Sequence, residues 1–125
     1  MNSKTDRVPF STFWTRLQGE LECFPETNGY HCGKAKKWSQ DKDYFGEEFK
    51  LLFKGGGVVY CQTATTAKLR SVSSAEFEKV YAVWERYRRG EVPRSHITED
   101  LGVQNSSWII PLLKKYEHLM RSITW

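Results

Sequence analysis

Gln104, Asn105 and Ser106 form a polar run whose side chains suit contact with nucleic acid. Asn and Gln carry a donor beside an acceptor, which matches adenine in a major groove, and a serine hydroxyl can hold a phosphate. Arg86, Arg88, Arg89 and Arg94 lie just upstream, and such guanidinium groups hold the phosphates that flank a groove. The same cations equally suit the negative end of a helix, and Glu85, four residues before Arg89, can neutralise it. Trp108, Ile109 and Ile110 follow and read no base edge; at best an isoleucine touches a thymine methyl. Three consecutive residues of a helix span about 200° of its surface. One packing face covers only ~100–140°, so at least one of these three is expected to project towards a partner. The simplest partner is a second copy about a two-fold axis, giving a homodimer with this helix at the contact.

Other constellations carry less. Glu48 and Lys50 alternate on one strand face, with Asp41 and Asp43 upstream, a pattern similar to that of metal-dependent nucleases. The two aspartates are too near in sequence to come from a separate strand, and any alternating charged face produces such a triplet. His31, His96 and His118, with Cys23, Cys32 and Cys61, lack the paired spacing of a zinc site. The three glycines at 55–57 precede a strand, so they make a turn and not a phosphate cradle. The sequence therefore assigns no catalytic residue, no metal ligand and no cofactor.

The elements that must position the polar run are two short helices. Residues 94–116 read RSHITEDLGVQNSSWIIPLLKKY, in which a helical pattern through Ile97 and Leu101 stops at Gly102 and a second begins within a few residues. Two short helices joined by a tight Gly-containing turn are the skeleton of a helix-turn-helix. Leu101-Gly102-Val103 followed by the polar run resembles the turn and the start of the recognition helix in phage repressors of the Cro type. On that alignment Ile97, Leu101, Trp108 and Leu112 fall on packing positions and all are apolar. The resemblance implies duplex DNA as partner, with Gln104, Asn105 and Ser106 facing the groove. The longer stretch FEKVYAVWERYRRGEVPRSHITEDLGVQNSSWIIPLLKKYEHL resembles small bacterial proteins of mobile elements such as integron cassettes and phages. That group has no activity to transfer, and it implies a bacterial accessory protein.

Upstream, Phe10, Phe13, Trp14, Leu17 and Leu21 recur at helical spacing, with Ser11 or Thr12 as N-cap. Pro25 and Asn28-Gly29 mark a turn, and residues 34–39 suggest a short strand. Phe49, Leu51 and Phe53 alternate with Glu48, Lys50 and Leu52, and Val58-Val59-Tyr60-Cys61 returns after the glycines, which is a hairpin. A fourth strand is expected over 68–72. Ser73 and Glu76 have the spacing of a capping box, with Val72 and Phe77 as its hydrophobic staple. The helix that follows runs through Val80, Tyr81, Trp84 and Tyr87 and stops at Gly90; Pro93 or Ser95 opens the next, which Gly102 ends. The last helix is expected from 105–107 towards Met120, with Pro111 bending it or delaying its start.

At 125 residues the chain is expected to be one domain of α+β class. Residues 1–8 read as a disordered tail, 9–72 as a helix plus a small antiparallel sheet of three to four strands, and 73–120 as a three-helix, helix-turn-helix-like unit. The core is expected to hold Trp14, Phe49, Phe53, Trp84, Ile97 and Leu112. Net charge is +4, and 10 Lys and Arg against 7 Asp and Glu put +3 of it in residues 63–125. That excess permits a polyanion partner. No apolar run reaches bilayer length, and the polar start MNSKTDRVPF with three cysteines suggests reduced thiols in the cytoplasm. Three functions from different classes follow: first a non-enzymatic DNA-binding or regulatory protein, next a self-associating interaction module using Trp108, Ile109 and Ile110, and last a metal-dependent nuclease.

Overall fold

In the computed structural model, which describes residues 7–63 and 68–122, one helix leads into a five-stranded sheet and a helical layer. The order is α1 (Phe10–Leu21), β1 (Glu26–Thr27), β2 (Tyr30–Ser39), β3 (Asp43–Phe53), β4 (Val58–Thr63), β5 (Arg70–Ser73) and α2 (Ser74–Arg88). A π-helical turn (His96–Asp100), α3 (Ser106–Lys115) and a 3-10 turn (Glu117–Met120) complete it. The class is α+β as expected, with more strands than the sequence suggested. No described helix is long and apolar enough to cross a membrane.

Helix α1 buries Phe13, Leu17 and Leu21, while Phe10 and Trp14 pack half-buried at its flank. Its N-cap is Pro9 in extended conformation, so neither Ser11 nor Thr12 caps it. The pyrrolidine ring fixes the backbone angle that a helix entrance needs, which makes a hydroxyl cap dispensable here. Residues 1–6 of the expected tail lie outside the described residues, but Arg7 and Val8 belong to the fold. Val8 is buried, its N–H donates to Met120 O at 2.8 Å and its carbonyl accepts from Tyr81 Oη at 2.6 Å.

The sheet is an antiparallel meander in the order β1-β2-β3-β4-β5. Asn28 and Gly29, at φ 55° and 84°, form the two-residue turn between β1 and β2, a conformation that Asn and Gly adopt most readily. This turn explains why β2 begins at Tyr30 rather than 34. Phe49, Leu51 and Phe53 share the inner face with Ala35 of β2, Val59 and Cys61 of β4 and Val72 of β5, all buried. Between Lys36 and Trp38 the register shifts, and Gly46 opposite has φ 69°. The break ends regular alternation and lets Trp38 join Trp84 and Tyr87 in the core.

The helical layer covers the inner face. Ser73 caps α2, its Oγ accepting from Glu76 N at 3.4 Å, and Val72 and Phe77 are both fully buried beside it. The Glu76 carboxylate does not return to the cap; it accepts from Asn105. Gly90, at φ 76°, closes α2, and Glu91 N–H reaches back to Arg86 O. Gly102, at φ 67°, ends the π-helical turn. Helix α3 starts at Ser106, so Pro111 does not delay it. Of the expected core, Phe49, Phe53, Trp84, Ile97 and Leu112 are at most 1% exposed; Trp14 is half-buried, held at the flank by Phe10 and Phe77.

Candidate nucleic-acid interface

Helix α3 packs against both β2 and α2, so two layers enclose it. Ile109 and Ile110 are 0% exposed, and Pro111, Leu112 and Leu113 are buried with them. Trp108 is half-buried, its ring edge-on to Phe49 with centroids 5.1 Å apart. The expectation is therefore corrected for the two isoleucines, which the protein's own sheet and helices enclose, while Trp108 alone of the three keeps part of its surface exposed.

The polar run fares similarly. Asn105 is 8% exposed; its Nδ2 donates to Glu76 Oε1 at 2.8 Å and to Ser71 O at 3.4 Å. Ser106 is buried and accepts from Arg94 Nη2 at 3.4 Å. Only Gln104 of the three is exposed. Asn105 and Ser106 thus fasten the start of α3 to β5, α2 and Arg94, and they present nothing to a groove. Among the arginines, Arg88 is paired with Glu117. Arg89 lies between Glu91 at 2.7 Å and Glu85 at 3.7 Å. The hydrogen bond from Arg89 holds the Glu91 carboxyl below its usual value. Arg86 is exposed and in no ion pair among the described residues. Of the residues expected as DNA contacts, Arg88, Arg94, Asn105 and Ser106 hold the protein's own groups, while Arg86, Arg89 and Gln104 stay exposed; helix α3 is buried from Ile109 to Leu113, with Ser107 and Lys115 exposed near its ends.

Glu48 and Lys50 share the outer face of β3, as their alternation requires. Asp43 lies beyond the register break, opposite Ser39, and its carboxylate accepts from Trp38 Nε1 at 2.7 Å. Among the described residues no three His, Cys, Asp or Glu side chains are grouped so as to hold a metal. Cys61 is buried in the core, which pushes its thiol up to about 12.

The surface that the sequence did not single out is the outer face of the sheet. Before the register break, none of the outward residues of β2 (30–36), β3 (48–52) and β4 (58–62) is buried. Lys34 stands directly opposite Lys50 across the β2–β3 ladder, and Lys36 follows two residues on, opposite Glu48. Lys34, Lys36, Lys50 and Lys54 are exposed and take part in no ion pair among the described residues. Beside them, Tyr60 is paired in register with Leu52, and the Tyr30 ring meets Tyr60 edge-on at 5.7 Å. Lys54 Nζ lies 5.0 Å over the Tyr30 ring. One face of the sheet is therefore a core wall, and the other carries aromatic rings bordered by lysines. A period-2 pattern over 30–36 and 48–54 contains this signal, but only strand register brings the lysines and tyrosines together. No protein-family model, curated protein or solved structure matches the chain.

Proposed function

We propose that the protein is a non-enzymatic nucleic-acid-binding protein whose contact surface is the outer face of the sheet, not helix α3. The observation that carries this is Lys34 directly opposite Lys50, with no carboxylate within ion-pair distance among the described residues. Like charges in register oppose strand pairing, by up to about 1 kcal/mol. A surface that retains such a pair, with Lys36 and Lys54 nearby, gains from an external polyanion what it lacks internally. Phosphates are the polyanion that lysines neutralise with release of counterions. The net charge of +4 acts in the same direction.

Fluorescence anisotropy with labelled oligonucleotides across a salt series tests this. Binding is expected to weaken with salt, and replacing Lys34, Lys36 and Lys50 together by Gln should flatten the slope by about 0.7–0.9 per lost phosphate contact. Replacing Arg86, on α2, should leave the slope nearly unchanged. A wild-type protein that binds no oligonucleotide at low salt, or a triple variant with unchanged affinity, refutes the assignment.

A further inference from the structure

We infer that the bound nucleic acid is single-stranded, with bases stacked on Tyr30 and Tyr60 and phosphates on Lys34 and Lys50; this rests on the function proposed above. The outer face is graded along its strands. Tyr60 and Leu52 form one cross-strand row, and Lys34 and Lys50 belong to the row two residues away on β3. Two residues of strand advance ~7 Å, so a base resting on Tyr60 has its phosphate within reach of the lysine row, and Tyr30, one row further out and edge-on to Tyr60, extends the aromatic end for the next base. Lys54 stands over Tyr30 at 5.0 Å and adds a cation at the aromatic end.

The shape of the face excludes the duplex as the better ligand. Strands are spaced ~4.8 Å apart, so five of them make a platform wider than the ~12 Å major groove. A ring on such a platform meets only sugar and phosphate of a duplex, because paired bases hide their π-faces in the stack. An unpaired base offers that face to any aromatic side chain, and the interaction tolerates every base. Charge complementarity also selects this occupant over a second copy of the chain. Two such faces would bring lysine rows against lysine rows.

The experiment compares labelled oligothymidylate, oligouridylate and mixed-sequence duplex, each of about twenty units, which is longer than one site of this kind. Wild-type protein is expected to favour the single strands over duplex by at least roughly tenfold, the two single strands reporting whether DNA or RNA is preferred. Tyr30→Leu with Tyr60→Leu should weaken single-strand binding by about 10- to 100-fold at unchanged salt slope. Tyr30→Phe with Tyr60→Phe should restore it. Should the leucine variant fail to fold, cross-linking of bromouridine-containing oligonucleotide to wild type decides, with adducts expected at Tyr30 or Tyr60. Equal affinity for duplex, phenylalanine variants as weak as leucine ones, or adducts only elsewhere overturn the stacking inference while leaving salt-dependent binding intact. A wild-type protein that binds none of the three oligonucleotides overturns both. A wild-type dimer dissolved by the tyrosine substitutions shows that this face meets a second copy, and also overturns it.

Discussion

Arg88 and Glu117 meet fork to fork: Nε lies 2.9 Å from Oε2 and Nη2 lies 3.1 Å from Oε1. Lys114 Nζ at 3.1 Å and Trp84 Nε1 at 3.2 Å also donate to this one carboxylate. The pair ties the 3-10 turn after α3 to the end of α2. Arg88, whose residue type and position also suit a phosphate contact, is a clasp between helices. Bidentate geometry is what distinguishes such a pair from an ordinary surface contact.

Loss of this carboxylate should cost stability and change its pH dependence. Burial pushes the Glu117 carboxyl up, but hydrogen bonds from Arg88, Lys114 and Trp84 more than offset it and hold the group below its usual 4.5. A depressed carboxylate contributes stability that is present above its unfolded value and is lost as pH falls through the folded one. Wild type should therefore lose Tm progressively below about pH 5. Glu117→Gln should be about 1–2 kcal/mol less stable at neutral pH, between the values for exposed and buried pairs. Its melting temperature should fall less on acidification. Parallel Tm–pH curves for the two proteins contradict this role.

Ile110 lies at 0% exposure in the enclosed helix α3. Ile110→Ala should cost about 2–5 kcal/mol by urea unfolding, since a buried aliphatic side chain leaves a cavity. Sedimentation of the folded variant should match wild type, because the side chain serves the interior. A change in oligomeric state with stability intact returns this residue to an interface.

Gly33 lies on the inner face of β2, and a Cβ there would come within 2.2 Å of Phe24 Cε2. The ring occupies the space a side chain needs, so Gly33→Ala should destabilise by about 1–3 kcal/mol through displacement of packed atoms. Combining it with Phe24→Ala should relieve part of that penalty, so that the double variant is destabilised by less than the sum of the two single changes in a double-mutant cycle. Strict additivity of the two changes is the contrary result.

What was legible in the chain was local. Alternation over 47–54, the Ser73 cap with Val72 and Phe77, and the stops at Gly90 and Gly102 each depend on neighbours within a few residues. The placement of α3 was not local, although its composition carried a cue. With Trp108, Ile109, Ile110, Leu112 and Leu113, it is apolar around most of its circumference, which is the pattern of an enclosed helix. A helix-turn-helix alignment matches turn and packing positions without reporting what covers the outer face. Asn105 read as a base contact because amides suit adenine, yet the same amide joins Glu76 to the Ser71 backbone. The outer sheet face depends on the register of Cys32, Leu52 and Tyr60 across three strands, which brings Tyr30 against Tyr60, and no window along the chain contains that pairing.

The hydrogen bond from Val8 N–H to Met120 O has a kinetic consequence. Every pairing in the sheet joins strands adjacent in sequence, so each hairpin closes a short loop. The Val8–Met120 bond closes roughly a hundred residues, and the entropy of closing a loop rises with its length. Folding should zip the meander first and lock the ends last, with α1 held by a latch that forms only on the assembled body. In native-state hydrogen exchange the Val8 amide should open well before that of Leu51 in β3. Simultaneous opening of the two makes the latch part of the folding nucleus instead.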